Sequence, residues 1–213
     1  MKTDDLIALL ATDTAAVPRG AASRQIATAM AVGIPLAILA MLLTMGARPD
    51  LAQAMRLPMF WIKVLFPAAM AFAGFVTLAR LARPGVGARV GEITIVLPLL
   101  LLWLTAISAY ADAPASERAA MVWGRSWQIC TLSIVMLSVP IFAAVFASLQ
   151  RLAPTQLARA GACAGVLSGG AGAAIYAFHC PETGLPFMAI WYVAGIAATA
   201  GIGAALGPRL LRW

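Results

Sequence analysis

Apolar residues in this chain gather in runs too long for a soluble core, separated by short polar turns. A helix crossing the hydrocarbon of a bilayer needs roughly 20 predominantly apolar residues. Six stretches meet that requirement, at about Ile26 to Met45, Met59 to Ala79, Ile93 to Ala111, Ile129 to Leu149, Leu157 to Ala177 and Phe187 to Leu206. The pattern predicts an all-α, polytopic membrane protein with six transmembrane helices. A bundle over residues 25–208 would lie between a tail at 1–24 and a short one at 209–213, and no other segment can build a separate domain.

Composition agrees, with 62% apolar and 11% charged residues. Charge adds the orientation, because Lys and Arg accumulate in cytoplasmic loops. With the N-terminus inside, the inner side carries Lys2, Arg19, Arg24, Arg80, Arg83, Arg89, Arg151, Arg159, Arg209 and Arg212. The outer side carries Arg48, Arg56, Lys63, Arg118 and Arg125. Both termini are therefore expected in the cytoplasm. The net charge of +7 reads as topology, with anionic lipid at the inner surface of the bilayer as partner. Nucleic-acid binding would need a basic groove or an aromatic-basic module, and neither is visible. The first apolar run follows Asp4, Asp5 and Asp13 rather than a compact basic region, so it is expected to remain in the mature protein instead of serving as a signal peptide.

Inside the predicted bundle, Gly161, Gly165 and Gly169 recur at spacing four, and Gly203 and Gly207 do so in the last helix. Such faces let backbones approach closely, either within the bundle or across the seam of a homo-oligomer. Tight internal packing is the expected use. Pro35, Pro67, Pro98 and Pro140 fall within the first four helices, where they shape the bundle. No internal repeat supports an inverted-repeat transporter. The central thirds of all six runs lack ionisable residues, the usual marks of a transport path. Lys63 lies near the outer end of the second helix beside Trp61, where its stem is expected to snorkel to the interface. Glu92 suits the N-terminal turn of the third helix.

The predicted outer face is richer. Thr155 lies midway between Cys130 and Cys180, so an antiparallel hairpin turning there puts both sulfurs at one depth. His179 adjoins Cys180 and Glu182 follows two residues later, giving soft and borderline donors suited to Cu(I), Zn(II) or Cd(II). Cys130, Cys180, His179 and Glu182 are thus candidate metal ligands. Cys130 and Cys180 are candidate redox sensors. The spacing matches no recognised zinc pattern, and a static disulfide in an oxidising compartment stays equally open. Cys163 is expected to be a small packing residue out of reach of the other two. Trp123, Trp127, Trp191 and Tyr192 fit an outer aromatic belt.

The N-terminal tail is the second candidate site. Thr3 can cap a helix whose first turn holds Asp4 and Asp5, and Leu6, Leu9 and Leu10 then share one face. So short a helix cannot fold alone; it is disordered, lies on the membrane or docks in a partner's groove. Its acidic first turn disfavours anionic lipid and favours a basic protein.

Met1-Lys2-Thr3-Asp4-Asp5-Leu6-Ile7, the Trp-rich approach to Cys130, and His179-Cys180-Pro181-Glu182 followed by Trp191-Tyr192 resemble the NrsF family over essentially the whole chain. That resemblance implies a six-helix inner-membrane anti-sigma factor, not an enzyme. Such a protein sequesters an extracytoplasmic-function (ECF) sigma factor until heavy metal or thiol oxidation is sensed. It assigns sensing to Cys130 and Cys180 and sigma binding to the tail from Met1 to about Val17, with no cofactor required beyond a regulatory Cu, Zn or Cd ion. The zinc-binding anti-sigma motif of another class is absent from this tail. Two rivals stay open, a membrane thiol-disulfide oxidoreductase and a small metal transporter. Relay chemistry usually uses a second thiol pair or a C-x-x-C, and export needs ligands through the bilayer. Neither pattern is present.

Overall fold

The computed structural model describes residues 3–5, 7, 18, 20–83, 89–152 and 154–212. Thr3, Asp4, Asp5 and Ile7 are helical. Thr3 thus lies inside its helix rather than preceding it as a cap, while Leu6, Leu9 and Leu10 fall outside the described residues. Eight helices follow among the described residues: α1 (Ala21–Thr44), α2 (Leu51–Ala54), α3 (Pro58–Leu81), α4 (Arg89–Asp112), α5 (Ala115–Trp123), α6 (Trp127–Gln150), α7 (Leu157–Tyr176) and α8 (Leu185–Leu210). All six apolar runs are helical. The interhelical stretches hold more structure than their polarity implies, since α2 and α5 are short helices within them.

Five segments are long and apolar enough to cross a membrane: α1, α3, residues Gly91–Asp112 of α4, a span from α5 through α6, and α8. The chain is an all-α, multi-pass membrane protein by these features. α7 falls short of that apolarity although it is 20 residues long, because Arg159 and five glycines dilute its Val, Leu and Ile. Its place in the bundle explains the composition. α7 is the central helix, touched by α1, α3, α6 and α8 and buried along nearly its whole length, whereas α1 and α4 expose rows of Leu, Ile and Val. A helix surrounded by protein needs small residues for close contact more than large ones for lipid.

The glycine faces work inside the chain. A Cβ on Gly161 would collide with the Gly203 carbonyl, and one on Gly165 with the Thr199 carbonyl. The α7–α8 seam is therefore backbone against backbone, and the same pattern fixes α3 on α7, where a Cβ at Gly74 would stand 2.6 Å from the Leu167 nitrogen. Cys163 is buried at this α3 contact, about 20 Å of helix from Tyr176, consistent with a packing role.

Adjacent helices alternate in direction. One end of the bundle gathers the 45–57 connection, the starts of α3, α6 and α8, and the end of α7. At the opposite end, Gln25 bonds the Ser148 carbonyl at 3.2 Å, Gln150 bonds the Leu210 carbonyl at 3.2 Å, and Glu92 in the first turn of α4 faces Arg159 at 3.9 Å.

Candidate thiol site at one end of the bundle

Cys130 sits in the first turn of α6, its backbone N–H on the Ser126 carbonyl at 3.0 Å. Cys180 lies in the 177–184 connection, just past the end of α7 and outside the membrane-spanning helices, with its N–H on the Tyr176 carbonyl at 3.0 Å. The hairpin brings the two thiols close enough to influence each other's ionisation, both fully buried and both free. Ser126 Oγ lies 3.9 Å from the Cys180 sulfur. The neighbouring Cys130 thiol, joined by the positive charge of Lys63, holds the Cys180 thiol below its ordinary pKa against the opposing effect of burial.

Lys63 overturns one expectation. It does not snorkel: its side chain turns inward and is 1% exposed. Its ammonium donates to the Cys180 carbonyl at 2.6 Å and to the Glu182 carbonyl at 2.5 Å, and stands 5.7 Å from the centre of the Tyr192 ring. An interior with two strong acceptors within reach competes successfully with a longer route to water, which an isolated apolar helix does not reveal. Arg48 adds to the same loop, its backbone N–H on the Phe178 carbonyl at 3.1 Å and its guanidinium on the Cys180 carbonyl at 3.4 Å. Two contacts of 2.7 Å to Asp50 anchor that guanidinium, raising the Arg48 pKa and lowering that of Asp50.

The other two candidate ligands each have a polar atom engaged by another group. His179 Nδ1 meets the Gly46 carbonyl at 2.9 Å, and its ring packs on Tyr176. Glu182 Oε1 accepts the Arg125 N–H at 2.7 Å and the Ser126 hydroxyl at 3.4 Å. Among the described residues no three His, Cys, Asp or Glu side chains are grouped to hold a metal ion. Closeness in sequence thus brings His179 and Glu182 to the loop without grouping them with the thiols as a set of ligands.

The aromatic belt is divided. Trp123, Trp127 and Trp191 form one cluster with ring centres 5.0 to 5.6 Å apart, and Trp191 Nε1 donates to the Val122 carbonyl at 2.9 Å. Tyr192 instead is fully buried beside Tyr176, ring centres 6.0 Å apart. The buried Tyr176 and Tyr192 hydroxyls have no hydrogen-bond partner among the described residues. A π-turn over Met188–Tyr192 carries both aromatic neighbours, Trp191 toward the Trp cluster and Tyr192 toward Tyr176 and Lys63. Lys63, Arg48 and Tyr192 are the site residues that sequence reasoning passed over. The usable signal was a lysine inside an apolar run, where an ionisable group marks function by default.

The NrsF family model, described as "Negative regulator of sigma F", matches residues 10–213. The "Probable anti-sigma-F factor NrsF" of Azospira oryzae is 41% identical over 213 residues, covering 100% of both chains. The "Anti-sigma-F factor NrsF" of Caulobacter vibrioides is 36% identical over 214 residues, again covering 100% of both. No solved structure matches the chain.

Proposed function

Because the chain belongs to the NrsF family, a family of regulators and not of enzymes, we propose that it is an inner-membrane anti-sigma factor that holds an ECF-type sigma factor inactive and releases it when Cys130 and Cys180 react. All six apolar helices cross the bilayer in this reading, with both termini and the N-terminal tail in the cytoplasm and the thiol site facing the envelope. The tail, through Thr3, Asp4, Asp5, Leu6, Leu9 and Leu10, is the partner-binding element.

The observation that carries the sensing half is the burial of two free, neighbouring thiols at one end of the bundle. Oxidation of such a pair joins the sulfurs, releases two protons and passes two electrons to an oxidant of the disulfide or peroxide class. A soft cation such as Cu(I) can use the same two sulfurs. Zn(II) normally takes four ligands, and His179 and Glu182 are committed elsewhere, so the site as built favours two-sulfur chemistry. Either event binds the two states of the bundle unequally, the requirement for shifting a conformational equilibrium.

A tagged chain in native membranes should retain an ECF sigma factor under reducing conditions and lose it on oxidant or Cu(I) treatment. Quinone-dependent thiol oxidation or metal flux in vesicles, with no sigma factor retained, would favour the oxidoreductase or transporter instead.

A further inference from the structure

Lys63 lies outside the residues expected to sense anything, yet it is deeply committed at the thiol site. Near the outer end of α3 its four-carbon stem has a route to the interface, where neighbouring Trp61 is exposed. Taking the inward route carries a large desolvation cost unless a counter-charge compensates. The nearby carboxylates are engaged elsewhere, Glu182 with the Arg125 N–H and Asp50 with Arg48. The ammonium meets backbone carbonyls instead, those of Cys180 and Glu182, which lie on either side of Pro181.

That arrangement fixes Cys180 at both of its peptide groups. Its N–H is held by the Tyr176 carbonyl, and its own carbonyl by Lys63 and Arg48, so the sulfur retains little freedom beyond one side-chain torsion. Bonding between two cysteines demands a narrow range of Cα separation and torsion. A fixed backbone at Cys180 therefore decides how readily its sulfur meets Cys130. We propose that Lys63 is the positioning residue of the thiol pair, clamping the carbonyls that flank Pro181 so that the Cys180 sulfur is set against Cys130. The inference rests on the proposed reading of Cys130 and Cys180 as a reacting pair.

The test uses the full chain in lipid nanodiscs, in a Cys163→Ser background, equilibrated with defined ratios of reduced and oxidised glutathione. Acid quenching, maleimide labelling and mass spectrometry then give the fraction of Cys130–Cys180 disulfide. Lys63→Met, which keeps most of the stem, should weaken disulfide formation at least tenfold, raising the potential by about 30 mV or more. Lys63→Arg, which can still donate to both carbonyls, should recover most of that change. Arg48→Met should move the potential less and in the same direction, and it carries the test if Lys63→Met fails to fold. A folded Lys63→Met protein with an unchanged potential, even one with an altered unfolding temperature, would make Lys63 merely structural and overturn the proposal. Failure of the sensor reading would look different: Cys180→Ser would release its partner normally, while the effect of Lys63 on the thiol equilibrium persisted.

Discussion

The Thr199 hydroxyl donates to the Gly165 carbonyl at 3.0 Å, a hydrogen bond that crosses the α7–α8 seam where the backbones touch. Gly165→Leu would drive a side chain into the Thr199 carbonyl and Ala200, and overpacking of this kind costs about 1–3 kcal/mol. Gly201 on the same helix as Thr199 is exposed, and a Cβ there would find nothing within 4 Å. Gly165→Leu should therefore lower the unfolding temperature in detergent clearly, and Gly201→Leu should leave it unchanged. Equal sensitivity at the two positions would contradict an internal use of the α7 glycines.

Orientation follows from the uneven distribution of Lys and Arg. Reporter fusions at the N-terminus, after Arg83, after Thr155 and at the C-terminus should read cytoplasmic, and those near Ala115 and Gly184 periplasmic. A periplasmic reading after Thr155 would turn the thiol site toward the cytoplasm and remove its access to an envelope signal.

Cys180 should show its lowered pKa in its reactivity. A thiol held below its ordinary value stays ionised to lower pH, and the thiolate is the nucleophile. Alkylation of Cys180 by iodoacetamide, followed by mass spectrometry, should persist as pH falls past the point where an ordinary thiol becomes inert. Cys130→Ala removes the leading cause and should move that profile upward. An unchanged profile in the variant would show that the contact with Cys130 does not set Cys180 ionisation.

In the tail, changing Leu6, Leu9 and Leu10 together to Ser should abolish capture of the partner while leaving the bundle folded. Each leucine buried at a docked face contributes roughly 1.5 to 3 kcal/mol. Co-purification from membranes at native expression reads the outcome directly, and retention by the triple variant would move the binding surface to the inner loops.

The helices were legible because hydrocarbon imposes a length on each run, and that constraint acts locally. The placement of Cys130 and Cys180 at one end of the bundle was legible for a related reason, since a symmetric hairpin returns equidistant residues to one depth. What local pattern cannot carry is the competition between surroundings. Lys63 reads as a snorkelling residue until the Cys180 and Glu182 carbonyls are placed beside it, and Tyr192 reads as a belt residue until a π-turn rotates it inward. His179 and Glu182 adjoin Cys180 in sequence, but the Gly46 carbonyl and the Arg125 N–H, both distant in sequence, each engage one of their polar atoms. The small residues of α7 likewise weaken its apolar signal because its neighbours, rather than lipid, surround it.

The central claim is that reaction at Cys130 and Cys180 frees a sigma factor held by the chain. Its most direct test is the amount of sigma factor retained on membranes carrying the wild-type chain, Cys130→Ser, Cys180→Ser or Cys163→Ser, before and after treatment with diamide or Cu(I). All four should retain the sigma factor when reduced, and only the wild type and Cys163→Ser should release it on treatment. Release from both Cys130→Ser and Cys180→Ser, or no sigma factor retained by the reduced wild type, would contradict the account.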